Sequence, residues 1–382
     1  MHIDRKWVAV LSVLVAVNVV LAGLLYLRSL DRPADPYRPR QGFGSDMTPS
    51  ILLPSHDPNR WEERPAALAG RAPGYSMEAG WEAVRVYAVW GGDLRSWVKN
   101  TGSNDLFIYS FALEGDWGAA ITISVGLTVH PGEQKYLGLL HFPGPPSAGT
   151  HNFTFRTGLL ARAPGDLIAL WHDYGVIGNF MKPQTFRPLA AAPHYKEIKN
   201  PAYFFDRANK VMNSNDPAVV RKSGEIASRF SGGYSIYQAA AAFDFVHNNM
   251  TYASEPAGRD LWQPPSETLS ILKGDCEDYT LLLSALITAM GGTTRFHVEN
   301  DHAFLSVYAG TDLPAAADAL SRYYNTDLEL ASFHDGYGYW LAADGTDSMF
   351  LGGIPLGGEP LEGSGWGLTN TTFHYPVDML PD

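Results

Sequence analysis

The sequence predicts an α+β chain in three parts: an N-terminal transmembrane helix, a β-sandwich with an immunoglobulin-like pattern, and a second, α+β domain. Three observations predict it. From Trp7 to Leu27 the chain is apolar except for Ser12 and Asn18, long enough to cross a hydrocarbon core as a helix. From about Trp81 to Phe180 apolar residues recur at every second position, the period of strands with one buried face. Beyond residue 193 the period turns helical, and the chain's single cysteine, Cys276, stands where a turn meets an amphipathic helix.

Residues 1–28 read as a signal anchor. Arg5 and Lys6 precede the apolar run and Arg28 follows it. Val20-Leu21-Ala22 would serve a signal peptidase, but the run exceeds the usual apolar region of a cleaved leader, which favours an uncleaved anchor. Charge leaves the orientation open, since Arg28, Arg32, Arg38 and Arg40 rival Arg5 and Lys6. The start-proximal run resembles an export signal, so the expected placement is single-pass in the cell membrane with the bulk of the chain extracytoplasmic. Sequons at Asn152, Asn249 and Asn370 are compatible with that.

Residues 29–78 form a linker rich in proline and arginine, whose composition buries too little apolar surface to offset chain entropy. Residues 79–192 carry the sandwich: Val84, Val86, Ala88 and Trp90, then Phe107, Tyr109, Phe111 and Leu113, then Ile121, Ile123, Val125, Leu127 and Val129, with turn clusters at 100–105 and 130–133. Residues 193–382 are the second domain. Ser235 and Gln238 suggest a capping box ahead of Ile236, Ala240, Phe243, Val246 and Met250, one apolar helix face. A glycine-rich tail after Leu351 carries aromatic residues expected to wrap onto the fold.

Chemistry concentrates at Gly274-Asp275-Cys276-Glu277-Asp278-Tyr279-Thr280. A lone thiol has no intramolecular disulfide partner and supplies too few sulfurs for a thiolate zinc site, which leaves core filler or nucleophile. Tyr279, Leu282, Leu283, Leu286 and Met290 fall at helical spacing up to Gly291-Gly292, so Cys276 sits in a first turn. There the helix dipole and unpaired N–H groups favour a thiolate and an oxyanion, while Asp275, Glu277 and Asp278 oppose the thiolate. A histidine is therefore required to hold it. His302 opens the alternating strand Ala303 to Tyr308, and Asp344 ends the strand-like run Gly338 to Ala343, where its carboxylate can orient the imidazole. Asp347 is a weaker rival to Asp344, and His297 and His334 have no matching partner pattern.

These residues resemble the transglutaminase-like superfamily, with its papain-like Cys-His-Asp core. The segment 274–280 with its following helix is similar to the family's cysteine motif, His302-Ala303-Phe304 to its histidine strand, and Trp340 with Asp344-Gly345-Thr346 to its Trp and Asp-Pro-Thr element. Phe245 to Tyr252, Trp262 to Pro265 and Glu267 to Leu269 resemble the lead-in. The likeness covers roughly 200–355. Gly345 stands where the family has proline, and the stretch between His302 and Asp344, including Pro314 to Tyr324, looks like a helical insertion. The resemblance implies a papain-like domain with Cys276, His302 and Asp344 as catalytic residues. Trp262 and Gln263 are candidates for the oxyanion region, with plain packing beneath the cysteine loop as the competing role of Trp262.

Formal net charge is −12, from 28 basic and 40 acidic residues, which repels a phosphate backbone and excludes nucleic acid as a partner. No phosphate-binding glycine loop or metal-spacing cluster is present, so no cofactor and no metal are expected, with calcium left open because oxygen ligands need no tight spacing. The expected partners are the membrane, through the anchor, and a protein or peptide substrate of the cell envelope. The expected activity is acyl transfer from amide bonds, hydrolysis favoured over crosslinking to an amine. A non-catalytic adhesion or scaffold protein is the reading from another class.

Overall fold

The computed structural model describes residues 49–58, 61–69, 73–163, 170–191, 201–255, 260–363, 365–369, 371 and 373–381. Its first part is all strand: β1 (Ala67–Ala69), β2 (Met77–Tyr87), β3 (Gly91–Asn100), β4 (Asp105–Gly115), β5 (Ala120–Val129), β6 (Gln134–Phe142), β7 (Gly149–Arg162) and β8 (Trp171–Phe186). A five-stranded sheet, in the order β1-β8-β7-β4-β5, faces a three-stranded sheet, β2-β3-β6. Only β1 is parallel to its neighbour. On β3 every second residue turns inward, and Leu94 and Val98 meet Phe111, Leu113, Phe153 and Phe155 of the other sheet in one core.

The second part begins with helices α1 (Pro201–Val211), α2 (Pro217–Ala227) and α3 (Ile236–Asn249). Pro217 suits the first position of α2, where an N–H would lack a partner, and the Asp216 carboxylate accepts from Ala218 N–H at 2.8 Å. At α3, Gln238 Oε1 accepts from Ser235 N–H at 3.3 Å. There follow β9 (Thr251–Tyr252), α4 (Pro265–Ile271), β10 (Lys273–Gly274), α5 (Cys276–Ala289), β11 (Thr294–Val298), β12 (Ala303–Gly310), α6 (Leu313–Tyr324), β13 (Ser332–Asp335), β14 (Gly338–Ala343), β15 (Gly358–Pro360), β16 (Trp366–Leu368) and β17 (Tyr375–Asp378). An antiparallel sheet runs β13-β14-β12-β11-β17. Helix α5 is apolar nearly all round, and Leu281, Leu282, Leu286 and Ile287 share a core with Phe296, Leu305, Val307 and Leu341 of the sheet and Ala239, Phe243 and Val246 of α3. Gly291, at φ +92°, ends this helix in the left-handed conformation.

Two expectations are corrected. Among the described residues no helix is long and apolar enough to cross a membrane. The longest, α3 and α5, have 14 residues, about 21 Å at a 1.5 Å rise against a hydrocarbon core of about 30 Å. The N-terminal transmembrane helix, and the single-pass membrane location and extracytoplasmic bulk derived from it, are therefore not supported; Trp7 to Leu27 lies outside the described residues. The chain is also richer in strand than in helix, so the α+β expectation gives way to a β-rich fold. Within the stretch read as linker, the described residues lie against both parts. Leu52 bridges to Ser235, Tyr237 donates its hydroxyl to His56 O, and Glu62 N–H bonds Gly126 O.

Candidate active site

Register brings two ends together. β12 pairs β14 antiparallel with Leu305 opposite Ala343, so the residues just before β12 and just after β14 meet at one sheet edge. His302 stands at the first and Asp344 at the second, with His302 Nε2 2.8 Å from Asp344 Oδ2. Asp344 is 1% exposed and fully engaged. Oδ1 accepts from Thr346 N–H at 3.0 Å and Thr346 Oγ1 at 2.7 Å, and Oδ2 also accepts from Leu356 N–H at 2.9 Å. Burial would push such a carboxyl up; the His302 charge and hydrogen bond, with the Thr346 and Leu356 donors, instead hold it far below the usual carboxylate range. Burial would likewise lower His302, but the charge and hydrogen bond of Asp344 outweigh it and the ring stays above its ordinary value. Asp344 thus fixes the tautomer and plane of the ring, which also stacks 6.2 Å from Phe304.

The first turn of α5 is docked on the same edge. Thr280 Oγ1 lies 2.7 Å from Cys276 O and 3.3 Å from Ala303 O, tying the helix start to the residue after His302. The Ala303 backbone N–H works to lower the thiol pKa. The cysteine side chain nevertheless points into acidic company, since Cys276 Sγ donates to Glu277 Oε2 at 3.0 Å. Burial pushes the thiol up, and the Glu277 charge and hydrogen bond push it further. Its neighbours respond to the same crowding. Asp275 is pushed up to about 7 by burial and by the Glu277 and Asp278 charges, and Asp278 to about 6, chiefly by burial. The resting thiol is therefore protonated, and no bond joins it to His302 among the described residues.

The other predicted residues are placed differently. Gln263 N–H and Nε2 donate to Asp278 at 2.8 and 2.6 Å, which locks the loop ahead of α4 onto α5. Trp262 Nε1 donates to Asp260 at 2.9 Å while its ring stacks 5.1 Å from Phe296 beneath the Arg207 guanidinium. Both candidate oxyanion donors thus already serve carboxylates. Asp347 faces Arg85 of β2, and His297 is a core residue held by His374 and Ser306.

One buried group had no sequence signal. Glu299, 4% exposed, lies on the turn whose N–H bonds His302 O at 2.8 Å, and its Oε1 has no partner among the described residues. Burial pushes it up to about 8, with His302 opposing and Asp344 adding to the shift. Gly357, at φ +83°, lets the chain pass over it, for a Cβ there would stand 2.7 Å from Glu299 Oε2. Among the described residues no cluster of three or more His, Cys, Asp or Glu could hold a metal ion. Clefts of about 690 and about 470 Å³ lie elsewhere, the first between β5 and α6 and the second between β6 and α3.

No family model and no curated protein matches the chain. Similar solved structures include a provisionally named protease from Parabacteroides distasonis, at 10% identity over 60% of this chain and 65% of that one, with a TM-score of 0.25. A provisionally named cysteine protease from Cytophaga hutchinsonii is 11% identical over 56% and 70%, TM-score 0.21. A PapD-like (ASH) domain of human CEP192, PapD-like domain 7, is 8% identical over 34% and 96%, TM-score 0.19. The chain spans just under two thirds of the Parabacteroides protein. Two of the three carry a protease name, and at these TM-scores nothing about the site is taken from them.

Proposed function

We propose that the protein is a cysteine acyl-transfer enzyme that cleaves amide bonds of proteins or peptides by hydrolysis. The observation that carries the reading is the buried Asp344–His302 pair, set where the first turn of α5 delivers a cysteine to the start of β12. In this reading an arriving amide substrate offers Glu277 another hydrogen-bond donor and so frees the sulfur. The thiol proton passes to His302 Nδ1, and the sulfur forms its bond to the carbonyl carbon as the C=O π bond opens to an oxyanion. The Cys276 N–H, at the positive end of α5, stabilises that oxyanion. Collapse expels the amine, which takes the proton from His302 and leaves an S-acyl enzyme; water, deprotonated by His302, then releases the acid and regenerates the thiol. Asp344 keeps Nε2 protonated throughout, so that Nδ1 is the working nitrogen.

A Cys276-directed alkylating probe tests the site. It is expected to react faster with the wild type near neutral pH than with His302→Ala; equal rates favour the scaffold reading. Incubating the full chain with peptides, with and without a primary amine, and weighing the products separates hydrolysis from amine incorporation. Hydrolysis alone is the expected outcome, and amine incorporation would replace it with a crosslinking activity.

A further inference from the structure

The β-sandwich reaches the site through one side chain. Arg85, on β2, is 14% exposed in its side chain, and its guanidinium grips a single loop of the second domain. Nη1 donates to Gly358 O at 2.8 Å, and Nη2 to Ile354 O at 2.9 Å, to Pro355 O at 3.1 Å and to Asp347 Oδ2. The same loop carries Leu356, whose N–H points the other way and donates to Asp344 Oδ2 at 2.9 Å. Three carbonyls turned onto a cation thus fix the orientation of the peptide between them, and that peptide holds the carboxylate that orients His302. Ser348 supports the same arrangement, with its hydroxyl on Ile354 O at 2.9 Å and its N–H on Asp344 O at 3.0 Å.

Charge gives Arg85 a second reason to be there. His302 is faced by three carboxyl groups, Asp344, Glu299 and Asp347. The Asp347 charge also acts on the imidazolium, and Arg85 pairs with that carboxylate. A planar fork with several fixed N–H directions can satisfy a carboxylate and three carbonyls at once, which the single ammonium of lysine cannot.

We propose that Arg85 is a positioning residue of the active site, so that the sandwich completes the machinery rather than serving as a spacer. This rests on the reading of Cys276, His302 and Asp344 as the reacting set. The mechanism is transmitted alignment: loosen residues 354–358, and Asp344 loses one of its donors while Asp347 loses its cation. Misplacement of this kind costs activity without removing any reacting group.

The test uses the full chain with Arg85→Met, Arg85→Lys and His302→Ala. Two quantities are read: the second-order rate of Cys276 alkylation between pH 5 and 10, and the titration of the His302 imidazole by nitrogen-edited NMR. Arg85→Met is expected to slow alkylation at pH 7 on the order of tenfold and to raise the His302 pKa, because Asp347 loses its countercharge and Asp344 a donor. Arg85→Lys, which keeps the charge and the fold, should fall between Arg85→Met and the wild type, and it decides the matter if Arg85→Met does not fold. Wild-type alkylation and an unmoved His302 titration in Arg85→Lys and any folded Arg85→Met, together with slow alkylation in His302→Ala, would overturn the role of Arg85 alone. Unchanged alkylation in His302→Ala would overturn the site itself.

Discussion

Glu277→Gln should make the cysteine more reactive, contrary to the usual expectation for a residue beside a nucleophile. In the folded chain the thiol donates to the Glu277 carboxylate across 3.0 Å. Ionising the sulfur replaces that hydrogen bond with two like charges at the same separation. Coulomb's law puts the repulsion at about 1.4 kcal/mol even with the dielectric constant of water, and about four times that at an effective constant near 20. The smaller figure already corresponds to about one pKa unit, or about tenfold more thiolate at neutral pH. Part of this gain is lost, because a less basic thiolate is a weaker nucleophile, with a Brønsted slope of about 0.4–0.5. The net expectation is therefore a rise of at least about threefold in the iodoacetamide rate at pH 7, with the midpoint of the pH–rate curve moved to lower pH. Glutamine keeps the length and most of the shape, so burial of the sulfur is unchanged. A rate equal to or below that of the wild type, in a variant with an unaltered melting temperature, would refute the claim that the carboxylate holds the thiol protonated.

Three further outcomes follow from the same geometry. Asp344→Asn puts an amide where His302, Leu356 and Thr346 all present donors, and peptide hydrolysis measured by stopped assay should fall by about 10³–10⁴-fold in kcat. Because the folded-state His302 pKa is raised, its pairing stabilises the fold fully below the ordinary imidazole value and loses that contribution as pH rises through the folded value. In Asp344→Asn this pH-dependent contribution should vanish from urea-unfolding midpoints. Glu299→Gln should remove a second pH dependence of the same sign, one that begins at lower pH. An acid held up to about 8 stays protonated in the fold while the unfolded chain has ionised, so wild-type stability falls as pH climbs from about 4.5 towards 8. The variant should lose that slope and be the more stable at pH 8 by on the order of a few kcal/mol, as read by chemical denaturation. Leu282→Ala removes a fully buried side chain from the contact of α5 with the sheet and should cost about 2–5 kcal/mol of unfolding free energy.

Much of the local structure was legible because it depends on neighbours in sequence. The alternation of Phe107, Tyr109, Phe111 and Leu113 falls within β4, and Leu282, Leu283 and Leu286 lie on α5, which starts at Cys276 and stops at Gly291. Ala303 to Tyr308 and Gly338 to Ala343 are strands, so His302 and Asp344 stand at strand ends in the sequence and in the structure. What sequence could not supply is the partner across a long separation. That β12 lies beside β14 follows from register, and β17, from the tail, adds to the far side of β11. Arg85 meets its acceptors across 262 to 273 residues, and nothing in its own neighbourhood on β2 distinguishes it from a solvent-facing arginine. The burial of Glu299 depends on the return of Gly357 over it, again a tertiary event. The apolar run at the beginning carried a strong local signal, yet hydropathy alone cannot say what a segment packs against.

The balance of effects at Cys276 decides how the proposed enzyme must work. A helix N-terminus favours an adjacent negative charge by about 0.3–1 kcal/mol at an exposed site and up to about 2 kcal/mol when partly buried. A carboxylate at hydrogen-bond distance opposes the same charge by about 1.4 kcal/mol in the most screened case, and burial opposes it further. The helix cannot prevail by itself, which explains why the thiol is held up in this state despite its position in a first turn. Deprotonation therefore has to be coupled to two events at once: removal of Glu277 from the sulfur and transfer of the proton to a ring whose own basicity Asp344 has raised. A substrate that supplies an alternative donor to Glu277 achieves the first event, and the carbonyl it brings is the electrophile for the second. Reactivity would then be lowest without an acyl donor in place, so a thiol capped in this way is shielded from small oxidants while remaining competent for attack. The consequence is measurable. In the wild type a neutral amide substrate should accelerate alkylation by a small probe before it blocks it, whereas in Glu277→Gln only the blocking phase should remain.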